Sequence, residues 1–308
     1  MALVFDALLA LAMLWLAWQG VHAQTLFQAV VSFMLFGLLI ALAWVRLDAT
    51  DIALAEAALG SGVTGALLFA ALGQLPPEPI RARRRTRWHR RLLALAWGLV
   101  LLAPIALLLY GVLQLEGRGL GAEVNASLSQ ANIGSPVTAV LLNFRAIDTL
   151  LELVVMLSAV VVVWSLGATA PSPLPWLPAP SLPALTRLLF PVFLLTAGYL
   201  LWRGEHGPGG AFPAGAVLAA GFVLAILSGA RAPAPDGHTG WRLLICLGPL
   251  AFAMVAGGVL LAGYVYFEYP PRVAGLLMIG IEIAAGISIG FMLTALFFAA
   301  ERDHSSQV

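Results

Sequence analysis

The chain of 308 residues is 61% apolar and only 10% charged, with a mean hydropathy of +0.96. Soluble domains are about 45–50% apolar and about 25% charged, so a water-soluble globular protein is excluded. Sixteen basic residues face fifteen acidic ones, and a net charge of +1 gives no footing for nucleic-acid binding; all sixteen are arginine, and lysine is absent.

A helix that crosses about 30 Å of hydrocarbon, rising about 1.5 Å per residue, needs about 20 mostly apolar residues. Nine stretches meet that length, near residues 2–20, 25–46, 51–73, 92–115, 146–167, 186–203, 208–229, 241–264 and 273–300. The expectation is an all-α polytopic membrane protein of about nine transmembrane helices. Val21-His22-Ala23 would serve as a signal-peptidase site, but the residues before it contain Asp6 and no basic residue, so the first helix is read as retained. Cys246, the one cysteine, allows no internal disulfide.

Two linkers divide the chain into three modules of three, two and four helices. Residues 1–75 form the first module and 76–91 a basic linker. Residues 92–167 form the second, 168–185 a proline-rich linker, and 186–308 the third. Seven of the sixteen arginines lie in 81–91, and the positive-inside rule puts that linker in the cytoplasm. The N-terminus is then outside and the C-terminus inside. On that topology Arg187, Arg231, Arg242 and Arg302 bring the inner arginines to eleven; Arg46, Arg118, Arg145, Arg203 and Arg272 make five outside. The basic run also suits anionic lipid.

Acids inside apolar runs are the informative charges, because each costs at least about 2.5–3.5 kcal/mol to insert uncompensated. In the third span Asp51 opens the helix, as a cap and dipole partner or as something more, and Glu56 follows about 7.5 Å deeper. Glu56 is too deep to cap and must face protein or water. In the fifth span Asp148 and Glu152 share one helix face, where a proton or a cation between them would relieve their repulsion. Arg145 is an alternative, structural partner for Asp148.

Between the sixth and seventh spans runs Glu205-His206-Gly207-Pro208-Gly209-Gly210-Ala211-Phe212-Pro213-Ala214-Gly215, which cannot hold a regular helix throughout. Either it is a tight turn at the interface, or it is irregular backbone that contacts ions, with Glu205 and His206 as proton relays. In the ninth span Glu282 stands without a basic residue within a turn, beside a Gly286–Gly290 close-packing face. It is read as part of an ion or proton path, or as a buried protonated hydrogen-bond donor. No His/Cys cluster has metal spacing and no nucleotide loop is present, so no cofactor is expected; transient Na⁺ is the one metal in view.

The third module resembles the B-type subunit of the Mrp-type multisubunit cation/proton antiporters, through the loop residues His206, Pro208, Gly209, Gly210, Phe212 and Gly215 and through Ile281 to Ile287. Ala211 and Ala214 replace glycines of that family's loop. Asp51 to Gly62 is similar to the three-helix domain at the C-terminus of the large, A-type antiporter subunit, which also occurs as a small subunit of membrane-bound hydrogenases. Val137-Thr138-Ala139 and Phe144 to Glu152 resemble the two-helix domain that follows it. The resemblance implies a non-enzymatic subunit of a bacterial inner-membrane complex that exchanges Na⁺ for H⁺, with Glu56, Asp148, Glu152, Glu282, His206, Asp51 and Glu205 as candidate path residues.

It also implies antiporter-like partner subunits that relay protons through lysines. Arginine does not release its proton readily, so a chain without lysine is read as an accessory conduit and docking element. A membrane-arm subunit of a redox-driven ion pump and a purely structural adaptor are the alternatives.

Overall fold

The computed structural model describes residues 2–73, 75, 87–114, 119–131, 134–165, 181–229 and 239–299. Residues 81–86 of the basic linker, 168–180 of the proline-rich linker, Arg118, Arg231 and Arg302 lie outside the described residues. Among the described residues every regular element is helical: α1 (Ala2–Val21), α2 (Leu26–Arg46), α3 (Thr50–Ala55), π1 (Glu56–Val63), α4 (Thr64–Gly73), α5 (Arg87–Gln114), α6 (Gly121–Ala131), α7 (Pro136–Ala139), π2 (Val140–Phe144), α8 (Ala146–Ser165), α9 (Ser181–Gly204), α10 (Ala211–Leu227), α11 (Thr239–Leu261) and α12 (Ala274–Ala299). α3, π1 and α4 run on as one apolar helix, Thr50–Gly73.

Among the described residues eight helices are long and apolar enough to cross a membrane, and α10, with 17 residues, is a shorter ninth. The protein is therefore an all-α polytopic membrane protein. α6 was not among the expected elements: Gly121–Ala131 is polar and too short to span, so it leaves no trace in hydropathy. α9 begins at Ser181, ahead of the expected 186, because Pro183 falls in its first turn, where no backbone N–H is needed.

Local chemistry sets the helix ends. Thr25 caps α2 by accepting from the Gln28 N–H at 3.2 Å. Ser135 caps α7 with Pro136 at its first position, the favoured start for a helix. Pro104, Pro191 and Pro249 lie inside α5, α9 and α11. Membrane helices tolerate such prolines where neighbours re-satisfy the freed carbonyls.

Lipid gives helices no hydrophobic drive to associate, so small residues and polar contacts do the packing. α10 and α12 form the centre, with α9 against α10 and with α8 and α11 against α12. A Cβ at Gly215 would lie 2.6 Å from Ile289 and 2.9 Å from the Gly286 carbonyl oxygen, so these two helices meet at near backbone contact. Gly286 in turn leaves room for Leu201 and Ala211, and Gly290 for Leu218. On the other face of α12, Ser288 donates to the Ile245 carbonyl of α11 beside Gly248. Phe252, Leu153, Ile289 and Met292 fill the interior.

The N-terminal helices meet the bundle through π1 and α3 against α10 and α4 against α12, and α2 joins them where Ser61 of π1 donates to the Met34 carbonyl at 2.7 Å. Asp6 and Arg46 clamp the same end of the α1–α2 hairpin in a two-pronged pair at 2.8 and 3.1 Å. The apolar flanks of α1 and α5 are largely exposed, as surfaces that face lipid or other chains would be.

Replacing Gly215 by Val should cost about 1–3 kcal/mol through overpacking at the α10–α12 contact. Gly257→Val, at a position with nothing within 4 Å, should cost little. Denaturant midpoints of the two variants in detergent check this.

Candidate functional site

The segment from Gly204 to Gly210 is the part of the chain that most needs help, because it carries backbone polar groups inside an apolar body. Its own sequence supplies some of that help. Gly210 adopts φ +99°, a left-handed conformation that a side chain would strain. That turn brings the Gly210 N–H to the Leu200 carbonyl at 2.9 Å, closing the end of α9. Gly209 passes so near that a Cβ there would lie 2.5 Å from the same carbonyl oxygen. Ala211 and Ala214 fall in the regular first turn of α10.

Help also comes from distant parts of the chain. Asp51, in the first turn of α3, accepts from the Gly209 N–H at 3.1 Å. It is not the helix cap, a position held by Ala49 without a side-chain bond. Ser135 donates its N–H to the Glu205 carbonyl at 3.0 Å, and buried Thr138 donates its hydroxyl to the Gly204 carbonyl. The loop is thus held by α3 on one side and by the start of α7 on the other.

Glu282 approaches the loop from below. Its side chain is 5% exposed, and a Cβ at Gly204 or Gly210 would lie 2.6 or 3.0 Å from its Oε1. Glu282 is eight residues into α12, about 12 Å along the helix from Ala274. The loop therefore turns back well below the N-terminal end of α12. This matches the 17 residues of α10, about 26 Å where a full crossing needs about 30 Å. Glu205, the residue after Gly204, is half-buried in the turn. Arg203 folds against Gly207, and His206 is exposed, with its ring 5.9 Å from Trp202. Pro208 is half-buried in the turn.

Glu56 lies elsewhere. It opens π1, and its carboxylate folds back over Gly60, where a Cβ would collide with it. It reaches toward α2, so that a Cβ at Gly37 would be 3.4 Å from its Oε1. π turns inside α-helices are rare and gather at functional positions. Thr64 donates to the Leu59 carbonyl at 2.7 Å, satisfying an oxygen within the widened turn.

The third acid group follows a second π turn. π2 is held from two directions, as Thr149 donates to the Leu141 carbonyl and Tyr269 to the Leu142 carbonyl, both at 2.8 Å. Burial pushes the Tyr269 phenol above its ordinary value, so it stays a donor. Arg145 ends π2 and pairs with Asp148 one turn on, which realises the structural alternative for that acid. The pair is largely exposed and adds little to stability. Glu152 has no such cation among the described residues. It lines an open cavity of about 520 Å³ with Asp148, Arg145, Met156 and Phe212.

The acids therefore form three groups: Asp51, Glu205 and Glu282 around the loop; Asp148 and Glu152 beside Phe212; and Glu56 within π1. Phe212 links the first two, since it follows the loop directly and lines the cavity. Gly215 serves helix packing instead of the loop. Ser135, Thr138 and Tyr269 were absent from the sequence-derived candidates. Ser135-Pro136 is a readable helix start, but nothing local marks Tyr269, whose partner is 127 residues away.

Comparison with known proteins sets this arrangement in context. Residues 11–77 match the MbhD family, named for a subunit of MBH, and residues 181–300 match a domain related to the MnhB subunit of Na⁺/H⁺ antiporter. An uncharacterized protein of Methanocaldococcus jannaschii is 30% identical over 155 residues, 43% of this chain and 59% of that one. A chain of the Mrp complex from Dietzia sp. DQ12-45-1b superposes with a TM-score of 0.77 at 20% identity, over 98% of this chain and 35% of its own length. A chain of the membrane-bound sulfane sulfur reductase, an archaeal respiratory membrane complex, does so with a TM-score of 0.54 at 24% identity, over 68% of this chain and 97% of its own. At these identities the two structures speak for the fold alone.

Asp51→Ala should remove a charge-assisted bond to the loop, of the kind that contributes about 1.5–3 kcal/mol. Hydrogen exchange at the Gly209 amide should then speed up, and Asp51→Asn, which keeps an acceptor, should restore most of the protection.

Proposed function

We propose that the chain, whose residues 11–77 and 181–300 match an MbhD and an MnhB-related domain, is an Mrp-type membrane subunit of a multisubunit antiporter that exchanges Na⁺ for H⁺. The observation that carries this reading is the set of acids on apolar helices, buried Glu282, half-buried Glu56 and Glu152 at an open cavity, none of which forms an ion pair among the described residues. Uncompensated intramembrane acids are costly, and they are kept where protons or cations pass. In this reading Glu56, Asp148, Glu152 and Glu282 belong to the ion path. Asp51, Glu205 and His206 flank its outer approach, and the loop from Pro208 through Phe212 forms its wall. The protein itself is non-catalytic.

With no lysine in the chain, the proton relays that use lysine belong to antiporter-like partner subunits. The largely exposed α5 and the exposed flank of α1 are the faces offered to those partners and to lipid. The arginine-rich linker would hold the orientation with the N-terminus outside and the C-terminus inside, in the bacterial inner membrane.

The match to the MbhD family favours a second reading, a membrane-arm subunit of a redox-driven ion pump. Soluble redox subunits that co-purify with the chain would select it. A structural adaptor is the third reading, in which removing the carboxylates impairs assembly without a specific loss of transport.

Glu56→Gln and Glu152→Gln in the assembled complex should each slow Na⁺-driven proton movement in membrane vesicles by about tenfold or more, equal to about 1.4 kcal/mol on the barrier. Gly60→Ala should displace the Glu56 carboxylate, the flexible end of its side chain, and so slow transport while assembly is kept. Unchanged transport in all three variants would refute the ion-path reading.

A further inference from the structure

We propose that Glu282, with the backbone of the 204–210 loop, is a site where one proton and one dehydrated monovalent cation compete. This rests on the ion-path reading and names the acid at which exchange takes place.

Three observations converge on it. Glu282 is 5% exposed and forms no ion pair among the described residues. Its Oε1 is aimed at the loop, where Gly204 and Gly210 have no side chain to keep the backbone away. The loop above it is irregular backbone, the kind that can supply oxygen ligands to a cation that has shed its water.

Among the described residues no positive charge balances this carboxylate. α10 and α4 carry no charged residue, and α12 carries none besides Glu282. From α9, Arg203 turns to Gly207, while Arg187 lies near the other end of that helix. α11 bears Arg242 in its first turn, far along the chain from the end that faces the loop. α8 bears Asp148 and Glu152, and Asp148 is already paired with Arg145. Asp51 is engaged with the Gly209 N–H. Glu205, which follows Gly204 directly in the loop, is itself an acid.

A bare carboxylate in such a place is untenable, so it is neutralised by a proton or by a cation. The exchange is balanced in charge: the carboxyl gives up one proton toward the loop and the carboxylate takes one monovalent cation. Both states are neutral, so neither leaves a net charge buried. One carboxylate with neutral carbonyls suits a single positive charge, which favours a monovalent over a divalent cation.

The test uses dicyclohexylcarbodiimide, an apolar reagent that modifies protonated carboxyls, on the assembled complex in membranes, with labelling read by mass spectrometry of the peptide that contains Glu282. Labelling at acid pH is expected to fall several-fold when Na⁺ replaces choline, and to fall as pH rises. Labelling that ignores Na⁺, or no labelling of Glu282 at acid pH, overturns the proposal. Transport separates it from the broader reading. If Glu282→Gln keeps normal Na⁺-dependent transport while Glu152→Gln abolishes it, the exchange site is wrong and the ion path stands. If transport is unchanged in Glu56→Gln, Glu152→Gln and Gly60→Ala as well, the path itself fails.

Discussion

A backbone turn below the surface of an apolar body must find a partner for each N–H and C=O it exposes. The rest of this structure depends on how the loop between α9 and α10 meets that demand. The Asp51 carboxylate takes the Gly209 N–H, Ser135 and Thr138 take the Glu205 and Gly204 carbonyls, and Leu200 takes the Gly210 N–H. Three of these four partners come from parts of the chain remote from the loop. Polar satisfaction of one short segment is thus what draws α3 and α7 onto the α9–α12 bundle. The same recess brings irregular backbone down to Glu282.

The two π turns have a related logic. A wider turn loosens the ordinary helical ladder, and the affected carbonyls need other donors. Thr64 serves Leu59 in π1, while Thr149 and Tyr269 serve Leu141 and Leu142 in π2. Each π turn stands beside an acid, Glu56 at the start of the first and Asp148 just past the second. Local irregularity and intramembrane charge therefore occur together at three places, these two and the loop.

Much of the fold was readable because hydropathy over about 20 residues is a strong signal, and nine apolar stretches became nine apolar helices. α6 escaped because it is short and polar, and the π turns escaped because Glu56 to Val63 reads as ordinary helix by composition. The acids were readable one by one, since each interrupts an apolar run. Their grouping was not, because it depends on contacts such as Asp51 with Gly209, 158 residues apart. The two readings of the loop, interfacial turn or recessed backbone, differ only in depth, which spacing does not encode. The expected span of 208–229 is long enough for a full crossing, whereas α10 itself has 17 residues, which are too few.

The loop is the hub that joins α3 and α7, which reach it from opposite sides without touching each other's bonds. A double-mutant cycle between Asp51→Ala and Thr138→Val measures this directly, by denaturant unfolding of the chain in detergent. If the loop transmits between them, the two losses of stability are non-additive, with a coupling of about 0.5 kcal/mol or more. Losses that add to within about 0.3 kcal/mol would mean two independent contacts, and would contradict a shared hub.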